Sequence, residues 1–390
     1  MSKGGDASWT KRLLNLAGVA RRGKPPVGST PADVVHHENK WRLLRYRRPA
    51  SASGARPATP ILLVPSLINR HYVLDLMPGK SFAEFLVQRG FDVFTIDWGT
   101  PSDEDRYVTF DDVCDTYLGR AIRAAARTSP RGKVHVLGYC LGGTLAAIHA
   151  AVHQEHLASL CLLAAPVAFD DDGPLAAWTR SSTFDVGALV DGFGVVPWPV
   201  LQGAFHMIRP TLNLSKTIHM LDRAWNDEFL DGFLAIETWG NDNVSFPGEC
   251  YRTYIGELYK KNGLIKGELS LGGKRVDLGA IRTPTLAVTF EHDNIVPWQS
   301  AKVLLDRVSS TDKHHMHLQG GHVGAVVSKS AAKGLWPAIA TFFADRDGAA
   351  AEVGAAAPTA TRPAEPAPDE PRPTSVSAGE KRRQGARARR

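Results

Sequence analysis

The sequence predicts an α/β fold with a mainly parallel sheet covered by helices on both faces. Three observations carry this. Short apolar runs of strand length alternate with helical stretches from Pro60 to Leu163. The same alternation resumes at Thr285 after an interruption of about a hundred residues. Between one strand and one helix lies Gly138-Tyr139-Cys140-Leu141-Gly142-Gly143, a glycine-flanked turn with the shape of a G-x-S-x-G nucleophile elbow in which a thiol replaces the hydroxyl.

In chain order, residues from Trp41 alternate and read as β through Leu43, Leu44 and Tyr46. The first core strand is Pro60-Ile-Leu-Leu-Val-Pro65, followed by a loop at Ser66-Leu67-Ile68-Asn69-Arg70. A helix near Phe82 to Arg89, a strand at Phe91 to Ile96 and the loop Asp97-Trp98-Gly99-Thr100-Pro101 come next. A helix around Asp111 to Thr128 leads into the elbow strand Lys133 to Leu137, and the helix after the elbow covers Thr144 to Ala151. Leu157 to Leu163 is a further buried strand. From about Asp170 to Gly273 the rhythm breaks: the segment has no clear strand and many large apolar residues. It reads as a helical insertion, placed over the nucleophile as a cap because sites in such folds lie at the carboxyl ends of the strands. The strand Thr285 to Phe290, the acidic turn Glu291-His292-Asp293 and a helix from near Gln299 follow. A strand through Met316-His317-Leu318 runs into Gly320-Gly321-His322, and a helix over Leu335 to Phe343 closes the domain.

With 390 residues, 43% hydrophobic and 22% charged, the chain can bury one full core. We therefore expect a basic segment at 1–34, a single catalytic-type domain at 35–346 with its cap at about 170–273, and a tail at 347–390. The tail is rich in Ala, Pro and Glu with almost no large apolar residue, so disorder is expected there. The formal charge of +6 does not indicate nucleic-acid binding, because six cationic residues in the last ten positions account for it. Near the N-terminus, Trp9, Leu13, Leu16 and Val19 interleave with cations in the pattern of an amphipathic helix, suited to a partner, an apolar surface or simply a short surface helix. No apolar run approaches the roughly 20 residues that span a bilayer, and no secretory signal is recognisable, so an intracellular protein is expected. Cys114, Cys140, Cys161 and Cys250 are too far apart in sequence for a C-x-x-C metal pair. Neither a metal nor an organic cofactor is expected.

Three residues then fall at strand ends in the order nucleophile, acid, histidine: Cys140, Asp293 and His322. That is the chain order of α/β-hydrolase triads, and the fold class expected is the α/β-hydrolase fold. His322 follows two glycines and can swing toward Cys140, raising its reactive thiolate population. His314, His315 and His317 lie on a strand and read as exposed or packing residues. Glu291 is the backup carboxylate, two residues deeper in its strand. The oxyanion donors expected are the backbone N–H groups of Leu141, at the helix start, and Leu67, in the loop after the first core strand. A thiol suits acyl transfer: attack on an acyl thioester yields another thioester, which stays activated for passage to an alcohol, provided a hydrophobic cap excludes water.

These motifs together resemble polyhydroxyalkanoate synthases, in particular the short catalytic subunit of the two-subunit type. The resemblance rests on Gly138-Tyr-Cys-Leu-Gly-Gly143, Asp293-Asn-Ile-Val-Pro297 and Gly320-Gly-His322. Further matches are Asn69-Arg70 before Tyr72, Asp97-Trp98-Gly99-Thr100-Pro101, and Asn241-Asp242-Asn243 ahead of Phe246-Pro247-Gly248. It covers about residues 35 to 345. The roughly 55 residues before the first core strand fit the two-subunit type, since the single-subunit synthases carry a longer leading region. Two features depart from the family: Asn294 stands where a histidine is common, and the basic tail has no counterpart.

The resemblance implies an acyltransferase that loads (R)-3-hydroxyacyl-CoA onto Cys140, releases CoA and extends a polyester, with His322 activating the thiol. It also implies that Asp293 helps to deprotonate the 3-hydroxyl. A second synthase subunit, self-association as a homodimer or larger, and a cytoplasmic location at the surface of a polymer granule are further implications. Two other readings of the same residues stay open: a cysteine-triad hydrolase, such as an intracellular polyester depolymerase or thioesterase, and a non-catalytic granule-associated protein.

Overall fold

An eight-stranded sheet organises the molecule, and its strand order places the nucleophile near the centre. The computed structural model describes residues 25–50, 57–208 and 212–347, with part of the segment 9–23. The strands are β1 (Ala32–Glu38), β2 (Trp41–Tyr46), β3 (Ile61–Val64), β4 (Val93–Asp97), β5 (Val134–Tyr139), β6 (Leu157–Leu163), β7 (Thr285–Phe290) and β8 (Lys313–Leu318). Their order across the sheet is β1-β2-β4-β3-β5-β6-β7-β8. β1 and β2 form an antiparallel hairpin, β2 joins β4 antiparallel, and every other pairing is parallel. The crossovers this requires are helices: α1 (Phe82–Gln88), α2 (Leu118–Ala126) and α3 (Leu141–Val152) in the first half.

Alternation along the central strands explains how the sheet is covered. On β3, Leu62 and Val64 pack with Leu118, Ile122, Leu145 and Ile148 of α2 and α3. Ile61 and Leu63 face the other way, toward Phe82 and Leu86 of α1 and toward the C-terminal helix. All four β3 residues are fully buried, as a parallel strand covered on both faces must be. Ser81 starts α1 by accepting the backbone N–H of Glu84 at 2.8 Å, and its own hydroxyl donates to the buried Asp75 at 2.6 Å.

The insertion after β6 is helical. It comprises α4 (Pro174–Arg180), α5 (Val186–Phe193), α6 (Trp198–Ile208), α7 (Leu212–Arg223), α8 (Asp227–Asn241) and α9 (Gly248–Thr253), the last continuing in π-helical turns through Lys260. Two small pairings interrupt it, Val195–Val196 with Phe246–Pro247 and Ser270–Leu271 with Lys274–Arg275, where none had been expected. After β7 come α10 (Trp298–Arg307), α11 (Gly324–Val327) and α12 (Trp336–Ala344). Asp347 fastens the end of the described chain beside β3 by accepting the N–H groups of Ala58 and Thr59 at 2.7 and 2.6 Å.

Two expectations need adjustment, those for the start of the catalytic domain and for the helix before the elbow strand. The strand β1 begins at Ala32, so the hairpin crosses the boundary set at 34/35. The helix anticipated over Asp111 to Thr128 opens with π-helical turns at Asp112–Tyr117 before α2. The described residues of the N-terminal segment are helical and fit the short surface helix among the alternatives: Lys11 pairs with Asp227 at 3.0 Å, and Asn15 donates to the Ala224 carbonyl at 2.8 Å. The tail at 348–390, for which disorder was expected, lies outside the described residues. Among the described residues no helix is long and apolar enough to cross a membrane.

Candidate active site

The turn between β5 and α3 holds Cys140 at φ 54° and ψ −131°, a conformation that L residues rarely adopt. Surrounding hydrogen bonds hold it there: Cys140 N–H donates to the Leu163 carbonyl at 3.0 Å, and Gly143 N–H to the Cys140 carbonyl at 2.9 Å. The flanking glycines are needed for close approach. A Cβ on Gly138 would overlap the backbone of Gly143, and one on Gly142 would overlap the carbonyls of Val64, the last residue of β3, and Pro65, the first of the loop after it. Gly142→Ala is therefore expected to push α3 off that loop and destabilise the fold by about 1–3 kcal/mol, the usual cost of overpacking. Thermal unfolding of the variant checks this; an unchanged melting temperature would contradict the packing account.

The acid and base arrive on adjacent strand ends, because β7 and β8 are neighbours in register. Their exit loops are tied together, with His292 N–H donating to the Gly320 carbonyl at 2.9 Å and Glu291 N–H to the Leu318 carbonyl at 3.0 Å. Asp293 and His322 are thereby brought together at 2.8 Å, Nδ1 of the imidazole donating to Oδ2. The other carboxylate oxygen, Oδ1, accepts the N–H groups of Ile295 and Val296 at 2.9 and 2.8 Å. The Asp293 side chain is fully enclosed. A substrate hydroxyl would have to displace protein to reach it, so its geometry suits orientation of His322.

The Cys140 thiol lies within interaction distance of the His322 ring. With Nδ1 committed to Asp293, Nε2 is the nitrogen left for the sulfur. Burial works against a charged imidazole here, but the negative charge available at Cys140 and at Asp293 outweighs it, and His322 is pushed up to about 10. A folded-state value above the ordinary 6.5 stabilises the fold. That contribution is complete below about pH 6.5 and is lost as pH rises through about 10. Because Cys140 is the foremost upward influence, Cys140→Ala should lower the His322 pKa, readable by NMR titration of the ring nitrogens. An unchanged titration would mean that sulfur and imidazole do not interact.

Tyr139 had not been singled out from the sequence. Its ring lies 5.1 Å from the His322 ring between centroids, and its hydroxyl donates to the His322 carbonyl at 3.3 Å. The residue before the nucleophile thus braces the histidine loop. Glu291, the backup carboxylate, is exposed and bonded to His317 Nε2 at 2.7 Å, away from Cys140. His315 and His317 both hydrogen-bond Thr289 on the neighbouring strand, as packing histidines would.

Leu141 and Leu67 are both buried beside the elbow. Among the described residues neither backbone N–H donates a hydrogen bond to another protein group, whereas Ile68 N–H is already bonded to Ser66 Oγ at 3.3 Å. Over Cys140 lies a narrow, largely apolar cavity of about 50 Å³, bounded by Ile68, Leu175, Trp178, Tyr251, Tyr254 and Ile255. Most of those walls come from the insertion, which therefore covers the nucleophile as a cap. Cys114, Cys161 and Cys250 are buried free thiols, and burial raises all three. Among the described residues no cluster of three or more His, Cys, Asp or Glu side chains could hold a metal ion.

This sheet order and strand-turn-helix nucleophile define an α/β-hydrolase-fold enzyme, and residues 59–193 match the family model described as alpha/beta hydrolase fold. Residues 23–86 match a second model, the N-terminus of poly-beta-hydroxybutyrate polymerase (PhaC). Three similar proteins are each named poly(3-hydroxyalkanoate) polymerase subunit PhaC. That of Haloferax mediterranei is 37% identical over 82% of this chain and 65% of its own length. The Haloarcula marismortui protein is 35% identical over 84% and 70%, and the Allochromatium vinosum protein 34% identical over 86% and 93%. The chain belongs to the poly(3-hydroxyalkanoate) polymerase family, whose members are acyltransferases.

Proposed function

We propose that this chain polymerises (R)-3-hydroxyacyl-CoA into polyester through a thioester on Cys140. The observation that carries the assignment is the Asp293–His322 pair at 2.8 Å, set beside a strained cysteine elbow beneath an apolar cap. In the first step His322 Nε2 takes the Cys140 proton and the sulfur attacks the thioester carbonyl. The Leu141 and Leu67 N–H groups receive the developing oxyanion. The bond to CoA breaks, and the departing CoA sulfur takes the proton from His322. In the second step a 3-hydroxyl attacks the Cys140 thioester, its proton passes to His322, an ester forms, and the sulfur is released and reprotonated.

Asp293 acts in this scheme by holding Nδ1 and so the ring orientation. A direct role on the hydroxyl is disfavoured by its enclosure. The cavity over Cys140 holds a few water molecules at most, so the cap must shift before an acyl-CoA can enter. The relatives are named as subunits, which supports a second synthase subunit as partner. A homodimer or larger assembly, a polymer granule surface as the working location, and a domain spanning the hairpin to Asp347 complete the proposal.

The test is incubation of the purified protein, with and without a candidate second subunit, with (R)-3-hydroxybutyryl-CoA and longer analogues, following CoA and the acyl group separately. Polymer accompanying CoA release is the expected result. Free 3-hydroxy acid without polymer would reassign the chain to hydrolysis.

A further inference from the structure

Two family-like motifs singled out in the sequence, Asn69-Arg70 before Tyr72 and Asn241-Asp242-Asn243, are given no role by the triad. They lie about 170 residues apart, one in the loop after β3 and the other at the end of cap helix α8, and the structure joins them. Arg70 Nε donates to Asp242 Oδ1 at 3.0 Å and the Tyr72 hydroxyl to Asp242 Oδ2 at 2.7 Å. Beside them, Asn69 Nδ2 donates to Asn243 Oδ1 at 3.0 Å, and the two residues also form an isolated β-bridge. Trp239 Nε1, one turn earlier on α8, donates to the Arg70 carbonyl at 3.0 Å.

What this clamp grips is the segment that carries the Leu67 N–H. Only one residue, Ile68, separates Leu67 from Asn69, and it lines the cavity over Cys140. On its far side the same loop is fixed to the sheet domain, by Trp98 Nε1 donating to the Pro65 carbonyl at 3.0 Å and Arg70 Nη1 to Thr100 Oγ1 at 2.9 Å. Beyond Asn243 the chain passes through Phe246–Pro247 into α9, whose Tyr251 and following Tyr254 form the cavity roof. One short stretch of cap therefore contacts the oxyanion loop and supplies the wall over the nucleophile.

We propose that Asp242 is a positioning residue: closed, the cap holds Leu67 N–H in register for the oxyanion through Arg70 and Tyr72, and opening the cap to admit substrate releases that donor. This rests on the acyl-transfer reading of the site. Coupling of this kind makes the oxyanion site complete only once the cap has closed over bound substrate and water is excluded. An oxyanion donor acts on the tetrahedral species and not on ground-state binding, so its misplacement lowers kcat rather than raising KM.

The test compares Asp242→Ala, Asp242→Asn and Asp242→Glu with wild type in the full chain. Expected for the alanine and asparagine variants is a fall in kcat for CoA release of about tenfold or more with KM changed far less, since complete loss of one oxyanion donor costs about 10²–10³. Asp242→Glu should recover part of that loss. Alkylation of Cys140 by iodoacetamide, a displacement that forms no oxyanion, should proceed at the wild-type rate or faster. Equal losses in alkylation and acyl transfer, or no loss in either, would overturn the proposal. If wild type itself releases no CoA, the acyl-transfer reading fails, and the clamp is judged by amide hydrogen exchange over residues 66–70. Faster exchange in Asp242→Ala supports it, and unchanged exchange refutes it.

Discussion

Cys140→Ser is expected to lower polymer synthesis by at least about 10³-fold, the scale on which nucleophile replacement acts in triad enzymes. Two physical effects combine. A hydroxyl supplies no ready anion, so the foremost influence that pushes His322 up is removed and the imidazole becomes a weaker proton acceptor. Acyl transfer to serine also yields an oxyester, which no longer stores the energy of a thioester for the next ester bond. Folding should be unaffected, because serine fits the same elbow volume beside Leu141 and His322. The measurement is polymer mass and CoA release under saturating acyl-CoA, with circular dichroism as the folding control. Retention of more than a tenth of wild-type synthesis would rule out Cys140 as the acyl carrier.

Asp293→Asn should be nearly as damaging, about 10⁴-fold in kcat by analogy with the corresponding change in serine triads. The structure gives the reason atom by atom. The amide oxygen can still accept the Ile295 and Val296 N–H groups that Oδ1 accepts, so the turn is kept. The amide nitrogen then faces His322 Nδ1, and two donors cannot share that 2.8 Å contact. The imidazole must turn or change tautomer, which places a proton on Nε2 where the thiol needs an acceptor. The effect is read as a fall in kcat with little change in melting temperature. A large loss of stability in place of activity would assign Asp293 to the fold alone.

The central features were legible in the sequence because they are local. A strand, a glycine-flanked cysteine and a helix sit within twenty residues, and both Asp293 and His322 directly follow strands that exit at the same end of the sheet. β6 and β7 were read with their observed limits, since fully buried parallel strands are uninterrupted apolar runs bounded by turn residues. What escaped was set by distant partners. β1 is an edge strand, mostly exposed and carrying Asp33, His36, His37 and Glu38, so no apolar alternation announced it. The two-residue pairing of Val195–Val196 with Phe246–Pro247 depends on chain brought back from fifty residues away. The clamp between Asn69, Arg70, Tyr72 and Asp242, Asn243 was visible as two motifs, but their contact exists only once the cap has folded over the sheet. Tyr139 likewise gained its role from a histidine loop 183 residues further on.

The most direct test of the account is to mix the protein with (R)-3-hydroxybutyryl-CoA, quench in acid within the first turnovers, and locate the acyl group by mass spectrometry of the peptide containing Cys140. A 3-hydroxyacyl thioester on Cys140 that disappears as polymer forms is the expected result. Polymer formation with Cys140 never acylated would contradict it.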